Sequence, residues 1–301
     1  MNILVTGSSG QLGTEIKRLL DTGMAEIGPI PSAYNNAQVQ YTDYETLNIA
    51  NEKEVNAFFE KHKFDLVINC AALTNVDGCE KEEMRAFEIN AMGPEYLAKA
   101  CEKQHATLVQ VSTDYVFSGS EPSARVEEDR PNPISAYGRT KLSGEQRVLG
   151  NCSRCFVVRT AWLYGYCGKN FVKTMLWLAK EKGGMTVVCD QLGNPTSAND
   201  LAYEILSLAQ TEQYGIYHAT NKGTCSWFEF TQAILEKAGY DKNIAQPCTS
   251  AEYLHEHPQA AARPAFSSLD NKHLRETIGD NMRPWEDALD TYIENLPRFE
   301  N

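Results

Sequence analysis

Hydrophobic residues fall in short continuous runs along the chain, and longer stretches with helical periodicity separate those runs. The runs that we predict to be buried strands are residues 2–6, 64–72, 107–113 and 156–160. The stretches that we predict to be helices between them are residues 51–62, 82–104 and a segment that opens near Tyr137. Strands covered on both faces of a parallel sheet read as continuous apolar runs, whereas helices repeat every 3.6 residues. The alternation predicts an α/β fold with a Rossmann-type doubly wound parallel sheet.

The second half of the chain shows a different order of elements. The segments predicted there are helices at 170–183, 199–210, 226–239 and 284–295, and short strands at 185–188 and 215–218. No repeat, low-complexity stretch or long linker separates a second domain, so we expect a smaller, interleaved C-terminal α/β substrate lobe. The Rossmann domain would hold residues 1–161 and about 199–218, and the lobe would hold about 162–198 and 219–301.

The composition is that of a soluble globular protein, with 42% hydrophobic and 23% charged residues among 301. The formal net charge of −12 argues against nucleic acid and against an anionic membrane as partners, although a local site can still bind an anion. No run approaches the roughly 18 apolar residues of a membrane span, and the first residues lack the pattern of a signal peptide. The nine cysteines are odd in number and scattered, so we expect a reduced, cytoplasmic protein.

A glycine-rich turn, residues 7–13, follows the first predicted strand and precedes a helix. Gly7, Gly10 and Gly13 have two residues between successive glycines. Glycines in such a turn let the backbone approach the pyrophosphate of a dinucleotide, and the helix N-terminus binds the phosphates. We expect the second strand near residues 26–27, and near its end we find neither an acidic residue for the ribose of NAD nor an arginine for the 2′-phosphate of NADP. The choice between these cofactors is therefore open.

Tyr137 and Lys141 are four residues apart, so a helix that opens here places both on one face. Taken alone, this spacing is that of an ordinary surface pair. A nearby ammonium, however, stabilises a phenolate and lowers the pKa of the tyrosine, so the hydroxyl can exchange a proton with a carbonyl or an alcohol. Ser112 and Thr113 end the preceding predicted strand, at the edge where parallel sheets bind ligands. A hydroxyl from that strand can therefore stand beside Tyr137.

The glycine turn, the hydroxyl pair and the Tyr-x-x-x-Lys spacing together resemble the extended, nucleotide-sugar-modifying branch of the short-chain dehydrogenase/reductase superfamily. Longer strings are similar to the dTDP-4-dehydrorhamnose reductase family. These strings are residues 10–13, 112–117, 137–141, 159–164, 170–171, 190–196 and 263–264. That family reduces the 4-keto group of dTDP-4-dehydro-L-rhamnose to give dTDP-L-rhamnose. The resemblance covers the whole chain and implies an NAD(P)H-dependent oxidoreductase, with NADPH or NADH as cofactor and a dTDP-sugar as substrate.

The resemblance also implies a role for each matching residue. Thr113 would bond the substrate carbonyl, Tyr137 would donate the proton, and Lys141 would hold the nicotinamide ribose and lower the tyrosine pKa. The residues implied to bind the cofactor are Gly7, Gly10, Gln11, Leu12, Gly13, Ala71, Ala72, Asn90, Tyr137 and Lys141. The residues implied to bind the substrate are Thr113, Asp114, Trp162, Asn170 and Arg263.

Two departures and two alternatives accompany this interpretation. Asn48 stands where many relatives carry an aspartate near the adenine, and Glu15 alone matches the glutamates with which some relatives bind magnesium between subunits. We therefore predict no metal, and the resemblance leaves a homodimer open. One alternative is another nucleotide-sugar epimerase, dehydratase or reductase. A dehydratase would be expected to carry an acid/base pair directly after Thr113, and Asp114 followed by Tyr115 leaves this alternative open. The other is a non-catalytic regulatory subunit that resembles the one of methionine adenosyltransferase.

Overall fold

A six-stranded parallel sheet lies at the centre of the protein, whose computed structural model describes residues 1–299. Its strands are β1 (Asn2–Thr6), β2 (Gln38–Thr42), β3 (Leu66–Asn69), β4 (Thr107–Thr113), β5 (Cys155–Thr160) and β6 (Gly215–His218). All neighbouring pairs run parallel, and the order across the sheet is 2-1-3-4-5-6. The winding therefore reverses between β1 and β3, and the predicted doubly wound parallel sheet is confirmed.

Helices cover both faces of this sheet. The α-helices described within residues 1–299 are α1 (Gln11–Thr22), α2 (Glu52–Lys61), α3 (Val76–Lys81), α4 (Glu83–Phe87), α5 (Gly93–Gln104), α6 (Ala136–Asn151), α7 (Phe171–Lys182), α8 (Ala198–Leu208), α9 (Trp227–Lys237), α10 (Ser250–Glu256), α11 (Lys272–Thr277) and α12 (Trp285–Asn295). Side chains alternate along a strand, so Ile3 packs with α1 and α8 on one face while Leu4 packs with α2 and α5 on the other. Both faces are buried, which explains the continuous apolar run of β1.

The second strand of the sheet does not lie where the sequence pattern placed it. Residues 24–25 and 28–29 form a small antiparallel pair outside the main sheet, and the sheet strand is β2, at 38–42. The prediction near residues 26–27 was therefore wrong. Since β2 lies at the sheet edge and only Thr42 of it is buried, its sequence alternates between polar and apolar residues and gives no continuous run.

The long helix predicted at 82–104 is present but interrupted. It consists of α4, a π-helical turn at Glu88–Met92 and α5, with Asn90 buried inside the turn. Such turns insert one extra residue into a helix and occur frequently at functional sites. The predicted helices at 51–62, 170–183, 199–210, 226–239 and 284–295 are confirmed, with ends that differ by at most two residues.

A second hydrophobic core lies in the C-terminal half, around Tyr164, Phe230 and Tyr292. Three short strand pairs accompany it, and they join 163–164 with 196–197, 185–188 with 245–248, and 192–193 with 225–226. Leu274 of α11, by contrast, packs into the core of the main sheet. The end of the predicted lobe, residues 300–301, lies outside the described residues. Within residues 1–299, no helix combines the length and the apolar character that crossing a membrane requires.

Candidate active site

A cavity of about 320 Å³ opens at the carboxyl ends of β1, β3, β4 and β5. Ligands bind at this edge of open α/β sheets, at the point where the winding reverses. The predicted site residues that line the cavity are Gly7, Gly10, Gln11, Leu12, Gly13, Ala72, Thr113, Asp114, Tyr137, Lys141 and Trp162. Ala71 lines an adjoining cavity, which shares Gly7 and Gly10 with the first. The fold therefore brings the glycine turn and the Tyr–Lys pair together.

The three glycines of the turn have different neighbours. Gly7 has a φ of 64°, and a Cβ there would lie 2.6 Å from the backbone nitrogen of Ala71. A Cβ on Gly13 would lie 2.4 Å from the carbonyl oxygen of Gly7, whereas a Cβ on Gly10 would meet only that oxygen, at 3.2 Å. Gly10 is also the N-cap of α1 and provides no side-chain cap, so the first N–H groups of the helix point towards the cavity mouth. The turn of residues 7–13 therefore forms a cradle that fits a pyrophosphate. Gly7 and Gly13 allow its close backbone packing, and Gly10 leaves the space for the ligand free of a side chain.

Asp43, directly after β2, is an acidic residue that the sequence pattern did not single out. Its carboxylate accepts hydrogen bonds from the hydroxyl of Ser8 at 2.8 Å and from the backbone and hydroxyl of Ser9 at 3.0 and 2.6 Å. Burial opposes ionisation here, but these serine hydrogen bonds hold the pKa of Asp43 below its ordinary value. Asp43 lines the adjoining cavity with Leu47 and Ile49. Correct placement of β2 would have found it, because the fingerprint expects an acidic residue after the second strand.

Helix α6 presents Tyr137 and Lys141 to the cavity. Ser135 caps the helix, as its hydroxyl accepts the Gly138 N–H at 3.1 Å. A Cβ on Gly138 would lie 2.1 Å from the carbonyl oxygen of Tyr115, so only glycine allows the first turn of α6 to pack this closely on the segment after β4. The close packing brings the Tyr137 hydroxyl near Thr113, at the end of β4, and the Thr113 hydroxyl favours the ionised form of the phenol.

The Lys141 ammonium lies against strand β4. It donates a hydrogen bond of 2.6 Å to the carbonyl oxygen of Val111, and burial lowers the pKa of Lys141 to about 8. Burial also raises the pKa of Tyr137 above its ordinary value, against the effect of the Thr113 hydroxyl. Desolvation is the largest influence on the pKa of the phenol, and the lowering of that pKa by Lys141 stays a prediction.

Asn90 supports the site from behind the cavity. Its side chain accepts the Leu73 N–H at 2.8 Å, and it donates to the Leu73 carbonyl at 3.0 Å and to the Thr140 hydroxyl at 3.2 Å. The π-helical turn places this amide between the segment after β3 and helix α6. Asn90 therefore holds the residue next to Lys141 and does not itself line the cavity.

Trp162 forms the wall of the cavity towards the C-terminal core. Its φ of 45° is unusual for a bulky residue, and such strain often marks a functional position. Its ring stacks on Trp227 with 3.4 Å between ring centres and 4° between ring planes. A Cβ on Gly193 would lie 2.5 Å from the Trp162 ring, so the glycine leaves room for the stacked pair. The conformation of Trp162 is thus fixed from two sides.

A further cavity of about 430 Å³ lies beyond this tryptophan pair. It is lined by Trp227, Val187, Gln191 and Arg263 among others. The Arg263 guanidinium donates to both carboxylate oxygens of Asp77, each at 3.2 Å. Arg263 therefore links the C-terminal half to α3 at this cavity.

Asn170 occupies the N-cap of α7 instead of either cavity wall. Its side chain accepts the Lys173 N–H at 3.0 Å and donates to the Gly165 carbonyl at 2.7 Å. These bonds fix the start of the helix that contributes Phe171 to the larger cavity. Its contribution to that cavity is therefore made through the position of α7.

The chain is similar to known proteins over almost its whole length. Residues 1–298 match the protein-family model described as RmlD substrate binding domain. The spore coat polysaccharide biosynthesis protein SpsK of Bacillus subtilis is 38% identical over 292 residues, which are 97% of this chain and 96% of that protein. A solved dTDP-4-dehydrorhamnose reductase from Clostridium acetobutylicum is 44% identical with a TM-score of 0.91, and the match covers 99% of this chain and 100% of the other. One from Bacillus anthracis, solved in complex with NADP, is 38% identical with a TM-score of 0.89, covering 98% and 99%.

Proposed function

The chain belongs to the dTDP-4-dehydrorhamnose reductase family, and we propose that it reduces the 4-keto group of dTDP-4-dehydro-L-rhamnose to form dTDP-L-rhamnose, with NADPH or NADH as the reductant. The observation that carries this proposal is the meeting of Thr113, Tyr137 and Lys141 with the glycine turn in one cavity. A hydroxyl pair beside a dinucleotide cradle is the arrangement that reduction of a ketone by a nicotinamide cofactor needs.

The cofactor would lie along the carboxyl edge of β1 and β3. Gly10 and the N-terminus of α1 would hold the pyrophosphate, and Asp43 would face the adenosine ribose. The remaining predicted cofactor residues surround this path, with Asn90 as a support. When bound, NAD(P)H supplies the hydride. The fit is supported by the glycine cradle, which side chains at Gly7 and Gly13 would destroy.

Thr113 and Tyr137 would stabilise the charge that develops on the substrate oxygen. Both hydroxyls can donate hydrogen bonds to one substrate oxygen, because both side chains line the same cavity. Tyr137 would give its proton to that oxygen. Lys141, whose pKa of about 8 leaves it charged at neutral pH, would hold the nicotinamide ribose and favour the phenolate that remains.

The sugar nucleotide would extend from Trp162 into the cavity beyond the tryptophan pair. Arg263 would bind the diphosphate through paired N–H donors, and Asn170 would act through the position of α7. This arrangement supports a division into a Rossmann domain, residues 1–161 and about 199–218, and a substrate lobe. The proposal includes a cytoplasmic location. It also includes a homodimer, and light scattering measures its mass in solution directly.

One assay tests the function and its alternatives. NADPH and NADH oxidation is followed with enzymatically generated dTDP-4-dehydrorhamnose, and the product is identified by NMR. Stoichiometric formation of dTDP-L-rhamnose supports the proposal. Conversion of a dTDP-sugar without net consumption of reduced cofactor would indicate an epimerase or dehydratase. Capture of a methionine adenosyltransferase without turnover would indicate the regulatory subunit.

A further inference from the structure

Asp114 is a buried carboxyl group in the reactive part of the cavity. It follows β4 directly, lines the cavity and is only 2% exposed. Its Oδ1 accepts the Thr113 hydroxyl at 2.8 Å. Its Oδ2 makes no hydrogen bond of full geometry among residues 1–299, and the Ser267 hydroxyl is the other nearby group that favours the carboxylate. A buried carboxylate oxygen without such a bond is costly, whereas a protonated carboxyl group is tolerated far better. The protonation of Asp114 is therefore coupled to the hydrogen bonds of its neighbour.

Thr113 has too few hydrogen-bonding positions to serve all its neighbours at once. A hydroxyl has one proton to donate and two lone pairs. One lone pair accepts the Tyr115 N–H at 3.2 Å, which leaves one proton and one lone pair. If Asp114 is ionised, the Thr113 proton goes to Oδ1, and only a lone pair faces Tyr137 and the cavity. If Asp114 is protonated, it donates to Thr113, and the Thr113 proton can point at a substrate oxygen.

We propose that Asp114 is a positioning residue that sets the direction of the Thr113 hydroxyl, so that its acid form makes Thr113 a donor to the ketone oxygen and its carboxylate form withdraws that donor. This inference rests on the proposed ketone reduction and deepens it. Reduction places growing negative charge on the substrate oxygen, so losing one of two donors slows the reaction. The carboxyl group exerts this control without touching the reacting atoms.

The surroundings of Asp114 place this switch near neutral pH. Burial raises the pKa of Asp114 to about 7, although the hydroxyls of Ser267 and Thr113 favour the ionised form. The titratable groups that face it are the phenols of Tyr115 and Tyr137, and burial raises the pKa of both. The guanidinium of Arg263 faces Tyr115 from the C-terminal half. Because the donor form is the acid, activity is present below this pKa and is lost as pH rises through it.

The test is the pH profile of kcat for ketone reduction from about pH 5 to about pH 9, at saturating cofactor and sugar. We expect wild-type kcat to fall with a midpoint near 7, by on the order of 10²-fold, as for loss of one donor to a developing oxyanion. KM should change less than kcat, because the donor acts on charge that develops during reaction. Deprotonation of Lys141, with its pKa of about 8, adds a second and later decline.

Three variants separate the two declines. Asp114→Asn cannot ionise and can still donate to Thr113, so the decline near 7 should disappear and only the later one should remain. Thr113→Val should be slower at every pH and should also lack the decline near pH 7, because this variant has no hydroxyl whose direction Asp114 could set. Glu204→Gln is the matched control, since burial also raises the pKa of Glu204 to about 7 but this residue lies in α8, outside the cavity. It should keep the wild-type profile shape.

Two further readouts make the outcome decisive. The side-chain carbon resonance of Asp114, followed by NMR in the protein without cofactor, should titrate near 7 and be missing from Asp114→Asn. A decline near 7 that persists in Asp114→Asn, or in Thr113→Val, overturns the inference while leaving the reductase function standing. Failure of wild-type protein to reduce the ketone at any pH overturns the proposed function instead.

Discussion

At the scale of single residues, Tyr137 is the group on which the proposed chemistry depends most directly. Tyr137→Phe removes the proton donor and keeps the ring that packs edge-on against Tyr115, with ring centres 5.8 Å apart. We expect kcat to fall on the order of 10²–10⁴-fold, the usual effect of a lost general acid, while NADPH still binds. Steady-state kinetics and cofactor fluorescence measure these quantities. Tyr96→Phe, on α5, is the control, and turnover of Tyr137→Phe at the wild-type rate would contradict the assignment.

Asp43 gives a prediction on cofactor choice. Its carboxylate lies against the glycine turn, where a 2′-phosphate on the adenosine ribose would meet like charge. Asp43→Asn should therefore raise the ratio of kcat/KM for NADPH to that for NADH by about tenfold or more. The same ratio is measured for Glu45→Gln, an exposed carboxylate two positions further on, which should leave it unchanged. Equal ratios in wild type and Asp43→Asn would mean that the ribose lies elsewhere.

At the scale of elements, the turn between β1 and α1 contains one glycine that we expect to matter for cofactor binding and another that we expect to matter for folding. Gly10→Val should abolish cofactor binding but leave a folded protein, because its Cβ meets only the Gly7 oxygen at 3.2 Å and the side chain would occupy the space proposed for the pyrophosphate. Gly13→Val should instead unfold or strongly destabilise the protein, because its Cβ would lie 2.4 Å from the same oxygen. Calorimetric titration with NADPH and thermal melts distinguish these two effects. Normal NADPH affinity in Gly10→Val would refute the role of the turn.

The helix from α4 to α5 shows how a local irregularity serves the site. Its π-helical turn directs the Asn90 amide at Leu73 and Thr140, so the segment after β3 and helix α6 are joined behind the cavity. The sequence pattern predicts a helix of ordinary geometry around Asn90. The irregularity depends on packing against α6. A Cβ on Gly144 of α6 would lie 2.2 Å from the Asn90 carbonyl oxygen, so only glycine allows this close approach.

At the scale of the whole molecule, Arg263 joins the two halves at the larger cavity. Arg263→Ala should raise KM for the dTDP-sugar by about 10- to 150-fold, which corresponds to roughly 1.5–3 kcal/mol for a hydrogen bond to a charged group. NADPH affinity should stay near that of wild type, because Arg263 does not line the cavity of the glycine turn. Arg154→Ala is the control, since Arg154 directly precedes β5 at the opposite, amino edge of the sheet. An unchanged KM, or a loss of NADPH affinity instead, would contradict the division into a cofactor half and a sugar half.

The sequence by itself determined the central strands, the glycine turn and the helical spacing of Tyr137 and Lys141. Each of these features is a local pattern in the sequence. Strands that are buried on both faces read as continuous apolar runs, and helical residues four apart share one face. The position of edge strand β2 was not predicted, because this strand is only half-buried and has no continuous apolar run. Asp43 was missed with it.

Only the tertiary structure decided which groups meet. It set Asp43 against Ser8, 35 residues away, directed Lys141 to Val111, 30 residues away, and paired Arg263 with Asp77 across 186 residues. It also left Asp114 buried beside the Thr113 hydroxyl, with one oxygen that makes no hydrogen bond of full geometry among residues 1–299. Periodicity reports how deeply a residue is buried along its own element. The partner of a buried polar group depends on where distant segments of the chain come together, and no local pattern records that.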